Sequence, residues 1–264
     1  MGLDLGLEKT GRFEVIACVE KERVYCDTIR ANQRAGRLSK SLKVYEGDIS
    51  SFDPMQILDD LGLQPGEVDL VVGGPPCQPF STAGKRQGVK DARGTLQWEF
   101  LRFVEAINPR FFIMENVRGL ISAALKHRPI SERPARGGAP LSPDETPGSV
   151  VRLFASDLQA IDGGPYHMDC FEVNAVNYGA PQIRERALFI GNRYGATVDF
   201  PDPTHGPNSA SSLPWRTLGD AIGNLEGLAP EDILMDFSPR KKRFLSLVPP
   251  GSNWRSLPIA QQQE

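Results

Sequence analysis

The sequence predicts an α/β fold: a Rossmann-like, doubly wound, mostly parallel sheet with helices on both faces. Two observations lead there. Short apolar runs rich in β-branched residues recur at Phe13–Val19, Val68–Val72 and Phe111–Met114, each the length of a buried strand. Segments with helical apolar spacing lie between them, and that alternation is the signature of a parallel sheet covered on both sides.

The elements follow in order. Phe13–Val19 ends at Glu20. Glu22–Arg34 spaces Val24, Ile29 and Ala31 near the helical period, and Gly36 stops it. A weaker strand, Lys43–Tyr45, leads to Gly47-Asp48, and Val68–Val72 runs into Gly73-Gly74. Glu99–Ile107 puts Phe100, Phe103, Val104 and Ile107 on one face, and Asn108-Pro109 ends it. Phe111–Met114 then ends at Glu115-Asn116. Residues 126–149 hold five prolines and Gly137-Gly138 and read as a long surface loop or disordered insertion. Cys170–Val176 and Ala187–Ile190 read as two strands around a turn at Tyr178-Gly179-Ala180-Pro181. This gives one domain over 1–191, interrupted at 126–149, and a proline-rich connecting segment over 192–264.

Composition narrows the function. The chain has 264 residues, 40% hydrophobic and 24% charged, the balance of a globular protein. It has no apolar run near the ~18 residues of a membrane span and no basic-then-apolar leader, so the expected compartment is the cytosol. Cys18, Cys26, Cys77 and Cys170 form no C-x-x-C pair, and His127, His167 and His205 are loop residues far apart in sequence. No metal site is expected. The formal charge of −3 does not advertise a nucleic-acid binder, so any DNA contact must be local. Lys85-Arg86, Lys90 and Arg93 are candidates, whereas Lys241-Lys242-Arg243 reads as a solvated face.

Chemically useful residues recur at strand ends: Glu20, Asp48, Gly73-Gly74 and Glu115-Asn116. Open α/β sheets bind ligands outside the carboxyl ends of their strands, so these four positions imply one crevice. Within it, Gly73-Gly74-Pro75-Pro76-Cys77-Gln78-Pro79-Phe80-Ser81 stands out. The glycines permit a sharp turn and close approach, and the prolines stiffen the chain directly before a thiol. That context suits a nucleophile, although it leaves open a cysteine that merely fills space.

Gly-Pro-Pro-Cys-Gln-Pro-Phe-Ser resembles the catalytic loop of the DNA cytosine-5 methyltransferases of bacterial restriction-modification systems. Glu115-Asn116-Val117 and Gln182-Ile183-Arg184-Glu185-Arg186 resemble that family's next two motifs, in the same order. Arg93-Gly94-Thr95-Leu96, Trp215 to Leu225 and Gly251-Ser252-Asn253-Trp254 are similar to further family segments. The resemblance implies methyl transfer from S-adenosylmethionine to C5 of a cytosine flipped out of double-stranded DNA. Cys77 would be the nucleophile, Glu115 the acid near N3 of the base, and Arg184 the cation near base and thiol. Gln78, Ser81, Asn116, Gln182 and Arg186 would support them. The donor would lie against Gly2, Glu20, Asp48, Ile49, Pro76 and Leu96: Glu20 on the ribose hydroxyls, Asp48 on the adenine amine, Ile49 on the ring.

The sequence departs from the family at both ends. Met1 to Gly11 resembles only the tail of the glycine loop that cradles the donor, with Gly2 as its last glycine. The family's first strand and its target recognition domain have no counterpart. Weak donor binding and a complementary polypeptide that supplies the missing segments are therefore expected. Three other readings stay open: a non-catalytic relative that binds DNA or a partner, a transfer-RNA cytosine-5 methyltransferase, and an unrelated thiol hydrolase. The last would need a histidine near Cys77.

Overall fold

A computed structural model describes residues 2–76, 95–225 and 237–262. They form two compact units, Met1–Trp215 and Arg216–Glu264.

In the first unit, helix α1 (Gly2–Glu8) precedes strand β1 (Ala17–Glu20), helix α2 (Arg23–Arg34) and strand β2 (Lys43–Glu46). Helix α3 (Pro54–Leu61) follows. Asp53 caps it by accepting from the Met55 N–H, Pro54 opens its first turn, and Gly62 closes it at φ 72°. Strand β3 (Leu70–Gly73), helix α4 (Leu96–Ile107) and strand β4 (Phe111–Val117) come next. Helix α5 (Ser149–Gln159) and strands β5 (His167–Asn174) and β6 (Glu185–Asn192) complete the unit.

The strands form two sheets. In one, β1 and β2 pair in parallel from Ala17↔Lys43 to Glu20↔Glu46. The other has the order β3-β4-β6-β5. Within it β3 and β4 are parallel, while β6 is antiparallel to both β4 and β5, so only β6 is reversed. Among the described residues no strand joins β1 to β3, and the expected single sheet stands as two pieces. Helices α3 and α4 pack against both: Ile57, Leu58, Phe103 and Ile107 cluster with Ala17 and Val19 of β1 and Val71 of β3. The opposite side of α4 joins the larger core, where Trp98 meets Phe154 and Phe100 meets Phe112 edge to face at 5.7 and 5.8 Å. Asn108, at φ 50°, ends α4 before Pro109.

Three expectations need correction. The first strand is shorter than Phe13–Val19. It begins at Ala17 because β2 offers only four partners, and Phe13 lies exposed. His167 is the first residue of β5, paired with Asn192, and not a loop residue. Residues 126–149 are an ordered loop rather than a disordered insertion. Short 3₁₀ turns at Ile130–Glu132, Pro134–Arg136 and Pro143–Glu145 punctuate it. Arg128 staples it, giving two bonds to the Glu145 carboxylate at 2.8 and 2.6 Å and one to the Ala139 carbonyl at 2.6 Å. That guanidinium and the Ser142 amide hold the Glu145 carboxyl down to about 2.

The unit runs beyond residue 191 because the following segment bonds back onto the turn after β5. Thr204 and His205 N–H donate to the Asn177 carbonyl, Trp215 Nε1 donates to the Asn177 side chain, and the Tyr178 hydroxyl donates to the Pro201 carbonyl.

The second unit is short helices. Helix α6 (Leu218–Ile222) begins in a capping box of Thr217 and Asp220, helix α7 (Pro239–Leu245) is capped by Ser238, and helix α8 (Ile259–Gln262) closes the described chain. Lys241 to Arg243 are exposed on α7, as expected for a solvated face. Lys241 lies 4.3 Å from the Phe237 ring centroid, and Arg243 5.6 Å from that of Phe244. Among the described residues no helix is long and apolar enough to cross a membrane, and no three His, Cys, Asp or Glu side chains gather as metal ligands.

Candidate active site

Glu115 sits in the last turn of pleat of β4, paired with Leu188 of β6. Strand alternation turns Phe112, Met114 and Asn116 into the core and leaves Glu115 half-buried on the other face. Its Oε1 accepts from Arg186 Nε at 2.8 Å and from Arg184 Nη2 at 3.4 Å. Arg186 is the second residue of β6 and Arg184 directly precedes the strand, so both stand beside the end of β4. Arg186 also donates to the Glu185 carbonyl at 2.7 Å. The sequence ranks Arg184 above Arg186, but Arg186 makes the shorter contact and is the more buried, at 24% against 48% exposure. Gln182 is exposed and makes no hydrogen bond among the described residues.

Next to this cluster, β3 ends at Gly73-Gly74. Glycine is required at Gly73, where a Cβ would fall 2.6 Å from the Phe100 ring. At Gly74 a Cβ would lie 3.6 Å from Glu115 Oε2, so strand end and carboxylate are immediate neighbours. The chain then enters Pro75-Pro76. Buried Asn116 donates from Nδ2 to the Pro75 carbonyl at 3.1 Å, and buried Gln97 donates from Nε2 to the Pro76 carbonyl at 3.3 Å. Cys77, Gln78 and Ser81 lie outside the described residues, as do the basic residues Lys85, Arg86, Lys90 and Arg93.

A second cluster sits at the ends of β1 and β2. Glu20 Oε1 accepts from the Glu22 N–H at 2.8 Å at the start of α2, and Oε2 has no partner among the described residues. Asp48 Oδ1 accepts from the Ser50 N–H and hydroxyl at 3.0 and 2.8 Å, and Oδ2 accepts from Lys21 at 2.9 Å. The Lys21 ammonium and Ser50 hold the Asp48 carboxyl well below the usual carboxylate range. Ile49 is partly buried against α3 and α4. Arg102 of α4 donates to the Ile49 and Phe52 carbonyls, both at 3.0 Å, and pairs with Glu99 at 2.7 Å. Pro76 is exposed, Leu96 is 36% exposed at the start of α4, and Gly2 has open space around it.

Helix α4 therefore grips both clusters, the Pro75-Pro76 end through Gln97 and the Asp48 turn through Arg102. Neither residue, nor Lys21, is singled out by sequence reasoning. Helical spacing marks Gln97 as a polar residue beside the apolar face of α4, but only the tertiary fold shows what it meets. The remaining described cysteines are poor nucleophiles or lie elsewhere. Burial pushes the Cys18 thiol up to about 11 and raises that of Cys26, and Cys170 is on β5.

Comparison with known proteins adds an independent line. The family model of C-5 cytosine-specific DNA methylases matches residues 1–133. The Type II methyltransferase M.AquIA of Picosynechococcus sp. is 37% identical over 238 residues, covering 87% of this chain and 86% of the relative. The Type II methyltransferase M.NgoFVII of Neisseria gonorrhoeae is 30% identical over 97% of this chain. The chain spans 54–60% of the length of M.NgoFVII and two further Type II methyltransferases. Among solved structures, an E. coli prophage protein assigned as a DNA modification methyltransferase superposes with a TM-score of 0.54 and 28% identity. That match covers 84% of this chain and 51% of the other.

Proposed function

The chain belongs to the C-5 cytosine-specific DNA methylase family, and from that premise we propose that it transfers a methyl group to C5 of a cytosine held outside the stack of duplex DNA. The observation that carries this reading is the pairing of Glu115 with Arg186 and Arg184 at the end of β4, beside the Gly73-Gly74-Pro75-Pro76 lead-in to Cys77.

Cytosine C5 is a weak nucleophile. The Cys77 thiolate attacks C6, and the C5=C6 electron pair moves into the ring. Charge builds toward N3, where Glu115 donates a hydrogen bond or proton. Arg186 and Arg184 fix the direction of that carboxyl group, and Arg184, the more exposed, also offers positive charge to base and thiolate. C5 is now electron-rich and takes the methyl group. Loss of the C5 proton to water returns the electron pair, restores the double bond and expels the Cys77 thiolate. A duplex base can be reached in this way only after it leaves the stack.

S-adenosylmethionine supplies the electrophilic methyl group when bound. The donor set at the ends of β1 and β2 fits it. Glu20 Oε2 is free to accept from ribose hydroxyls, Ile49 and Leu96 offer apolar surface, and Asp48 is an acceptor for an amino group once Lys21 swings into solvent. Gly2 and Pro76 complete the proposed wall. Gln78, Ser81, Asn116 and Gln182 act as supports around the thiol.

Further polypeptide contributes to the working enzyme. Two facts support this: the chain spans little more than half of several relatives, and β1 and β3 each pair on one side only among the described residues. The proposed place of action is the bacterial cytosol, where the DNA substrate of this reading lies.

The test uses protein expressed from its native locus, so that any companion polypeptide co-purifies. It is incubated with the donor and random-sequence duplexes carrying 5-fluorocytosine. Fluorine blocks the final elimination, so a covalent complex at Cys77 should persist through denaturing electrophoresis. No complex, or one that survives Cys77→Ser, overturns the reading.

A further inference from the structure

We propose that Gln97 is a positioning residue for the nucleophile, forming with Asn116 a two-point clamp on the Pro75 and Pro76 carbonyls. The inference rests on the chemistry assigned to Cys77 above, and adds a residue that neither the family motifs nor the comparisons single out.

Prolines have no N–H, so Pro75-Pro76 offers the surrounding protein only its two carbonyls. Both are taken, and by side chains from different elements. Asn116 on β4, 2% exposed, donates to the first at 3.1 Å. Gln97 on α4, 1% exposed, donates to the second at 3.3 Å. Proline rings fix φ at both positions, so two anchored carbonyls leave the chain little freedom where it enters residue 77. The Asn116 amide is itself immobilised, since its Oδ1 accepts from the Val117 N–H at 2.9 Å.

Gln97 reveals its role through an imbalance. Its Oε1 is buried and has no hydrogen-bond partner among the described residues. The side chain sits among apolar neighbours, lining a small cavity with Trp98, Met114, Leu120, Phe154 and Phe189. A buried amide with half its hydrogen-bonding capacity unmet costs stability. If packing alone decided the position, an apolar side chain of similar length would serve better. The alternative amide orientation would set Oε1 against the Pro76 carbonyl, oxygen to oxygen, so the donor faces the loop. Among the described residues, the one side-chain hydrogen bond Gln97 makes is with the residue directly before Cys77.

Gln97→Met separates the two roles, because it keeps length and apolar volume and removes only the amide. The fold should melt at the wild-type temperature or above it, since an orphaned acceptor is gone. Turnover of the natively co-purified enzyme should fall tenfold or more, because small misplacements of a reacting group are costly, while KM for DNA stays within about twofold. The second readout needs neither DNA nor donor. Iodoacetamide alkylation at the Cys77 peptide, followed by mass spectrometry across pH, should change at least threefold in rate or shift its midpoint. Gln97→Glu is the companion variant. Its protonated acid can donate to the Pro76 carbonyl and its ionised form cannot, so Cys77 alkylation should approach wild type at low pH and diverge as pH rises. A Gln97→Met protein that is folded, fully active and unchanged in its Cys77 profile overturns the clamp. So does a Gln97→Glu profile parallel to wild type at every pH. If wild type forms no fluorocytosine complex, the methylation reading falls, while alkylation still decides whether Gln97 positions Cys77.

Discussion

The two strand-end clusters hold their side chains in different ways. At the end of β3 and β4 the anchors are buried: Asn116 and Gln97 are nearly inaccessible, and Glu115 is fixed by two guanidiniums. At the end of β1 and β2 the anchors face water. The Lys21–Asp48 pair is 65% and 40% exposed, and the turn after β2 is held through main-chain carbonyls by Arg102. Buried, satisfied hydrogen bonds rigidify the groups they join, whereas an exposed ion pair exchanges with solvent at little cost. In the proposed reaction the first cluster places the reacting atoms, and the second adjusts as the donor enters. Damage to the first should therefore appear in turnover and damage to the second in donor affinity.

The largest effect tests the first half of that contrast. Glu115→Gln keeps the size of the group and removes its acid. Turnover should fall at least ~10²–10³-fold, the usual loss when one transition-state donor is removed. Donor affinity by calorimetry should stay within about twofold. If donor affinity collapses instead and single-turnover chemistry is preserved, the division of labour is wrong.

Packing gives the next largest change. Gly73→Ala puts a methyl group 2.6 Å from the Phe100 ring, at the junction of both cores. Overpacking of this kind costs roughly 1–3 kcal/mol, visible as a lower thermal midpoint. Gly2→Ala, with nothing within 4 Å, should leave the midpoint unchanged.

Arg102→Met addresses the donor end alone. It removes two charged hydrogen bonds to the Ile49 and Phe52 carbonyls while keeping the aliphatic stem. Donor dissociation should weaken about tenfold, the scale of one to two such bonds, with kcat at saturating donor within about twofold. A matching loss of kcat at saturation would merge the two clusters into one.

The sequence makes the first cluster far more legible than the second. Cys77, Glu115, Asn116, Arg184 and Arg186 lie in contiguous, chemically unusual runs, whereas the burial of Asn116 beside half-buried Glu115 emerges only because β4 runs on to Val117. The parallel pairs, the β5–β6 hairpin and α4 were equally readable from period and length. Other features depend on partners distant in the chain. The early end of β1 depends on how many residues β2 presents. The order in 126–149 depends on Arg128 finding Glu145 across seventeen positions. Gln97 and Arg102 look like ordinary polar residues on an amphipathic helix, and only the approach of Pro76 and of the Asp48 turn gives them work. Lys21 is read as one more charge after a strand until Asp48 folds over it.

The smallest effect sets two ion pairs against each other. Arg128–Glu145 and Lys21–Asp48 are both close carboxylate pairs, at 2.6 and 2.9 Å, but the first is only 19% and 14% exposed. Salt screens exposed charges and leaves sheltered ones largely intact. Glu145 titrates near 2 in the fold against an ordinary value of 4.5. Its depressed value means that its stabilisation is fully present above about pH 4.5 and disappears as pH falls toward 2. In Glu145→Gln the acid-driven drop in melting temperature across that window should be shallower than in wild type, and 1 M NaCl should preserve most of the difference. Asp48→Asn should also flatten the acid limb, because Asp48 is likewise held below its ordinary range, but in 1 M NaCl its difference should shrink to the part that the Ser50 hydrogen bonds supply. Donor affinity should respond in the opposite pattern: Lys21→Met should shift it by about threefold or less, as expected for an exposed pair, and Glu145→Gln should not shift it at all. Equal salt sensitivity of the two pairs would show that exposure does not decide which ion pairs of this molecule hold firm and which yield.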